Sequence, residues 1–311
     1  MRTAAGMETR LLCIGRDLLM IPNLAIHMNR NANDGYTFNA QKDMLPLLGD
    51  MAAKDGFLKL IAETAGVSPR DILDADLFLY NRMKGTLYGL NQEFVAAPRL
   101  DDLQCAFASL KGFLAANPHN SVAVHCVLDN EEVGSQTKQG AASTFLKDTL
   151  CRIVCSLGYN ETAYRMALAS SFMVSADNAH SVHPNQADKA DPTNRPYLND
   201  GIVIKYSANQ KYTTDAVSGA MFRAICDKAG VPYQTFTNRS DMLGGSTLGN
   251  ISNTQVALNT VDIGLPQLAM HSSYETAGTK DTGYLIEAAR VLFSSSFKED
   301  DNGNYQLLFS Y

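Results

Sequence analysis

Three stretches of this sequence place carboxylates or an imidazole directly after short apolar runs. Asp129-Asn130-Glu131-Glu132 follows Val122 to Leu128, Asp177-Asn178-Ala179-His180 follows Phe172 to Ala176, and His271 follows Gln267 to Met270. Ligands of open α/β sheets bind just beyond the carboxyl ends of the strands, so if these runs are strands the three clusters converge on one rim. The adjacent pair Glu131-Glu132 calls for a cation, because two carboxylates at the mouth of a buried strand otherwise repel one another. With a divalent metal, one carboxylate ligates while its neighbour takes the proton from a water whose pKa zinc lowers to roughly 7. In isolation Glu-Glu reads first as a solvated acidic turn and Asp101 as a helix cap, and His271 also reads as a satisfied core histidine.

The elements that must position these residues follow from periodicity. From about residue 95 onward, amphipathic helices alternate with short buried strands, which predicts an α/β fold with a largely parallel sheet covered by helices. Leu103, Phe107, Leu110 and Leu114 form a helical stripe, and Val122 to Leu128 has strand length. Phe145, Leu146, Leu150, Ile153 and Val154 form the next helix, stopped by Gly158. Strands follow at Phe172 to Ala176 and Ile202 to Tyr206, a helix at Asp215 to Ala229, strands around Tyr233 to Phe236 and Gln267 to Met270, and a helix from Thr282 to Phe293. Residues 1–92 read as a small mixed module, with one helix from Gly56 to Ala65 and a brief second one opened by Ser68-Pro69-Arg70-Asp71.

With 311 residues, 45% hydrophobic and 19% charged, the composition is that of a globular protein able to bury a substantial core. A net charge of -6 leaves no basic excess to hold a phosphate backbone, which argues against nucleic acid as a partner. No stretch approaches the ~20 apolar residues of a membrane span, and Arg16 and Asp17 interrupt the early apolar run before signal-peptide length. The six cysteines form no CxxC pair and read as reduced core thiols, which fits a cytoplasmic location.

Five blocks then carry a specific resemblance: Ile21-Pro22-Asn23-Leu24-Ala25-Ile26-His27, Pro98-Arg99-Leu100-Asp101, Asp129 to Ser135 with Gln139-Gly140-Ala141, Ser175-Ala176-Asp177 running to His183-Pro184-Asn185, and Met270-His271-Ser272. In this order, across nearly the whole chain, they resemble the aspartyl aminopeptidase family of dinuclear zinc aminopeptidases. The resemblance implies that Asp101 bridges two zinc ions, that Glu132 and His271 complete one and Asp177 binds the other, and that Glu131 is the general base. It implies a zinc-peptidase-type α/β fold with a mixed, largely parallel sheet covered by helices, release of N-terminal Asp or Glu from peptides, and a large homo-oligomer built from dimers. Lys205 matches a family lysine that faces the acidic side chain of the substrate, although a lysine ending an apolar strand also snorkels. His27 matches a histidine reaching a neighbouring subunit's active site, and Gly245 lies in a glycine-rich segment similar to a loop lining the substrate pocket.

Set against that family, residues 1–92 correspond to part of a dimerisation module and residues 93–311 to a catalytic domain lacking its N-terminal segment. That segment carries a histidine ligand of the second zinc, so one ligand is expected to be missing. Alternatives to the acidic-residue aminopeptidase are a shortened, catalytically impaired homologue acting as an assembly subunit, and an aminopeptidase of different side-chain preference.

Overall fold

A computed structural model of the chain describes residues 1–300 and 302–309. It divides into two units, Met1–Arg82 and Met83–Tyr311. The first unit holds a two-stranded ribbon, Arg2–Thr3 with Gly6–Met7, several single helical turns and one longer helix, Gly56–Ala65. That helix has the expected bounds; Gly66, in the left-handed region at φ 68°, ends it by donating to the Ala62 and Glu63 carbonyls. The proline-led helix expected next is a single 3-10 turn, Pro69–Asp71. The unit leaves many large apolar side chains exposed, among them Leu24, Ile26, Phe38 and Leu77 to Tyr80.

The second unit runs β1 (Thr86–Tyr88), β2 (Phe94–Ala97), α1 (Leu100–Ala115), α2 (Phe145–Ser156), α3 (Glu161–Ala169), β3 (Phe172–Ala176), β4 (Ala179–His180) and β5 (Ile202–Lys205). It continues with α4 (Ala216–Ala229), β6 (Tyr233–Phe236), α5 (Leu248–Ser252), β7 (Asn259–Gly264), β8 (Pro266–Leu268), β9 (Glu275–Gly278), α6 (Asp281–Ser294), β10 (Ser295–Glu299) and β11 (Tyr305–Phe309). The expected α/β class is what the chain adopts, with the parallel pairing concentrated in one sheet. That sheet has the order β3-β7-β5-β6, where β3 with β7 and β5 with β6 are parallel and β5 with β7 antiparallel. A second sheet, β1-β2-β9-β8-β4, is antiparallel except for β8 with β4.

Strand β5 shows how the apolar code is read. Ile202 and Ile204 join Phe222 and Ile225 of α4, Val261 and Ile263 of β7 and Leu285 and Ala288 of α6 in the main core. Val203, on the opposite face, joins Ala179, Tyr212 and Phe236. A strand buried on both faces has no need of polar alternation, and the two-residue period then puts Lys205 on the Val203 face. Against the same core, α1 packs on α6 through small residues: a Cβ at Gly112 would sit 2.5 Å from the Ala289 Cβ, so only glycine admits this approach.

Two expectations need correcting. The stripe Leu103, Phe107, Leu110 and Leu114 is exposed, because α1 turns Gln104, Cys105, Ala108 and Gly112 inward instead. Residues 122–128 form no strand. Among the described residues they have no ladder neighbour, and an extended run without a partner is not a strand whatever its composition; Val122 and Val127 stay exposed. All six cysteines are free thiols, but only Cys105 and Cys226 are buried, so the expectation of core thiols holds for those two.

Candidate metal centre

Chain exits from the two sheets meet at one place. Strand β2 leads through Pro98 and Arg99 to Asp101 at the start of α1, β8 leads through a turn to His271, and β3 leads directly into Asp177. Glu131 and Glu132 sit in a single 3-10 turn, Glu131–Val133, flanked by Asn130 and Gly134 in the left-handed region. The His271 Nε2 lies 3.1 Å from an Asp101 carboxylate oxygen and 3.1 Å from a Glu132 carboxylate oxygen. Asp101, Glu132 and His271 therefore offer one donor atom each within 4.8 Å of one another, and so do Asp101, Asp102 and Asp177, with Asp101 common to both sets.

A cation suits this arrangement on two observations. The buried Oδ1 atoms of Asp101 and Asp102 have no hydrogen-bond partner, a costly condition for a carboxylate oxygen that a metal relieves. The second is charge. Burial, then Asp177 and Glu132 nearby, raise the Asp101 carboxyl to about 8, and burial with Asp177 and Asp101 pushes Asp102 well above the carboxylate range. Burial first, and then Asp177 and Glu132, lift Glu131 to about 7. Carboxylates crowded this closely with one imidazole suit a divalent ion, one group containing the nitrogen donor zinc favours and the other all oxygen.

The surroundings hold these side chains in place. A Cβ on Gly264, the last residue of β7, would sit 2.0 Å from the Asp177 carbonyl oxygen, so glycine lets the Asp177-Asn178 backbone cross the strand end. Asn178, buried beside it, donates from Nδ2 to the Leu100 carbonyl and to Gln104 Oε1, both at 3.2 Å, and accepts from Cys105 Sγ at 2.9 Å. This ties the start of α1 to the exit of β3. Lys205 is buried; its Nζ donates to the Asn178 carbonyl at 2.7 Å, lies 3.7 Å from an Asp177 carboxylate oxygen and sits over the Tyr212 ring at 5.5 Å. Burial alone would lower its pKa, but Asp177, Tyr212 and Asp262 outweigh it and the ammonium is held above its ordinary value.

Of the residues singled out in the sequence, Asp101, Glu132, Asp177 and His271 come together, with Glu131 and Lys205 beside them. His27 lies exposed in a 3-10 turn of the first unit, Ile26–Met28. Gly245 is exposed in the segment between β6 and α5, with open space where a Cβ would be. Asp102, Asn178 and Glu275 were not singled out. Asp102 stands next to Asp101 in the sequence, whereas Glu275 carries no local signal at all.

An imidazole among converging carboxylates at the strand exits of an α/β fold is a donor set of the kind a divalent metal takes. The family model described as aminopeptidase I zinc metalloprotease (M18) matches residues 2–294, and the chain belongs to this peptidase M18 family. It is 50% identical over 297 residues to a protein of Clostridium acetobutylicum named probable M18 family aminopeptidase 2, a match covering 94% of this chain and 69% of that protein. A relative of the same name in Pseudomonas aeruginosa is 40% identical over 301 residues. Among solved structures, a chain in the cryo-EM structure of the Ape4 and Nbr1 complex superposes with a TM-score of 0.86 at 34% identity, covering 94% of this chain and 61% of that one. The S. cerevisiae mApe1 dodecamer is similar with a TM-score of 0.72 at 25% identity, and this chain spans 65% of its length. No helix among the described residues is long and apolar enough to cross a membrane.

Proposed function

We propose that this chain forms the metal-binding catalytic part of a zinc aminopeptidase that removes an N-terminal Asp or Glu from peptides. The observation that carries this reading is the pair of donor sets sharing Asp101. Asp101, Glu132 and His271 would hold one zinc, and Asp101, Asp102 and Asp177 a second. When bound, zinc supplies Lewis-acid polarisation of the scissile carbonyl and acidifies the attacking water.

Glu131 is placed to take and return the proton. Its carboxyl, raised to about 7, is poised near neutral pH in the absence of a cation, and a cation at the cluster draws it downward toward the ionised form a base requires. Lys205 supports the acidic preference, since it is the buried cation beside Asp177. Its ion pair with Asp177 favours a second role as well, as the counter-charge beside that carboxylate. His27 and Gly245 complete the proposed substrate-binding set. Family membership supports assembly into a homo-oligomer built from dimers, with residues 1–92 as part of the dimerisation module and its exposed apolar side chains as the surface for it. A cytoplasmic location belongs to the same reading.

The test is hydrolysis of aspartyl, glutamyl and alanyl aminoacyl substrates by the zinc-loaded chain. Activity on the first two that disappears with a chelator and returns with zinc supports the proposal. A zinc-loaded, folded chain that cleaves none of them is the assembly-subunit alternative, and preference for the alanyl substrate is the other.

A further inference from the structure

The sheet order puts one buried carboxylate between the two chain exits that deliver Asp101 and His271. In the run β2-β9-β8, Glu275 opens the middle strand, opposite Ala97 at the end of β2, and its successor Thr276 lies opposite Leu268 at the end of β8. Each of its oxygens is committed to a backbone N–H: Oε2 accepts from the Asp101 N–H at 3.0 Å and Oε1 from the His271 N–H at 2.8 Å. Glu275 is 2% exposed, so water does not compete for these bonds.

Both amides belong to backbone that is not held by a regular ladder. Arg99, two residues before Asp101, has φ 60°, and in the turn between β8 and β9 Ala269 and His271 have φ 57° and 66°. Non-glycine residues persist in the left-handed region when their surroundings hold them there. The turn has its own bond, from the Ser272 N–H to the Ala269 carbonyl at 2.9 Å, and His271 adds a charge-assisted hydrogen bond from its N–H to Glu275. A single side chain thus joins two turns that no backbone ladder joins, with the His271 Nε2 and the Asp101 carboxylate 3.1 Å apart.

We propose that Glu275 is the positioning residue of the metal centre, a clasp whose two carboxylate oxygens set the separation of the ligands Asp101 and His271. It touches no substrate. The inference rests on the metal-centre reading above and adds a requirement to it: the site loses its geometry when either oxygen ceases to be an acceptor.

Glu275→Gln makes that change with little change of shape, because one oxygen becomes an amide donor facing a backbone N–H. Zinc affinity, measured by competition with a chromophoric chelator in the 311-residue chain, is expected to fall ~10 to 100-fold, the usual effect of removing a group that orients a ligand. The absorption bands of bound cobalt are expected to shift, since a changed ligand separation alters the coordination geometry. A residue that merely supports the fold would lower the melting temperature and leave the affinity and cobalt spectrum of the folded fraction unchanged, and that result would overturn the proposal. If Glu275→Gln does not fold, amide hydrogen exchange in the metal-free wild-type chain decides. Exchange at Asp101 and His271 slowed at least ~100-fold supports the clasp, and exchange at the rate of an unstructured peptide overturns it. Failure of the wild-type chain to bind zinc at all would sink the metal-centre reading instead, leaving the clasp to be judged on amide exchange.

Discussion

Replacing Gly264 with alanine tests how tightly the backbone crossing behind Asp177 is built. The added Cβ would lie 2.0 Å from the Asp177 carbonyl oxygen and 2.9 Å from the Asn178 carbonyl carbon, both backbone atoms that cannot rotate away. Ordinary carbon-to-oxygen contact begins near ~3.3 Å, so the Asp177 segment must retreat by roughly 1.3 Å. Overpacking of this kind costs ~1 to 3 kcal/mol, and the displaced atoms belong to a proposed metal ligand, so zinc affinity at the all-carboxylate set should fall as well. Gly283 is the control. It lies in the first turn of α6 with nothing within 4 Å of the position a Cβ would take, and Gly283→Ala should stabilise by up to ~1 kcal/mol through helix propensity. Urea titrations of the three proteins read both signs. A Gly264→Ala protein with the wild-type midpoint and unchanged zinc affinity would refute the claim that glycine is required for the crossing.

Glu131→Gln should keep the bound metal and lower turnover at least ~100-fold, whereas Glu132→Gln should weaken metal binding; elemental analysis showing the reverse would exchange the two roles. Lys205→Met should reduce hydrolysis of aspartyl and glutamyl substrates far more than of alanyl ones, and equal losses would leave Lys205 only its role beside Asp177. Asp281 accepts from the Asn199 and Gly201 N–H groups, yet burial lifts its carboxyl from 3.8 to about 6. Between those values the folded chain holds the proton and the unfolded chain does not, so this group's contribution to stability is lost as pH rises through the window. The stability of the wild-type chain relative to Asp281→Asn should therefore fall by up to ~3 kcal/mol between pH 4 and pH 7, and parallel pH profiles of the two proteins would show that Asp281 does not titrate there.

Much of the scaffold is legible in the sequence because its signals are local. Gly56–Ala65, Phe172–Ala176 and Tyr233–Phe236 have the bounds the periodicity predicts, and the helices begun at Ala216 and Asp281 differ by a residue at their ends. What failed depended on partners. Residues 122–128 have strand composition, but composition cannot supply a neighbouring strand, and the Leu103 to Leu114 stripe marks an apolar face without saying which face of α1 meets α6. The same division holds in the metal centre. Asp101, Glu132, Asp177 and His271, which the structure brings together, were each singled out from a block of their own. Asn178 and Glu275 act through hydrogen bonds to residues 74 and 174 positions away, and no local pattern encodes a carboxylate that serves two distant backbone amides.

Whether two donor sets sharing Asp101 hold zinc is tested most directly by titration of the metal-free 311-residue chain with zinc, read by calorimetry and by elemental analysis after dialysis. The expected result is one zinc held tightly by Asp101, Glu132 and His271, with a second held more weakly by Asp101, Asp102 and Asp177. His271→Ala should abolish the tight site and spare the weak one, and Asp101→Asn should impair both. A folded wild-type chain that retains no zinc, or one whose zinc binding is indifferent to both substitutions, would contradict it.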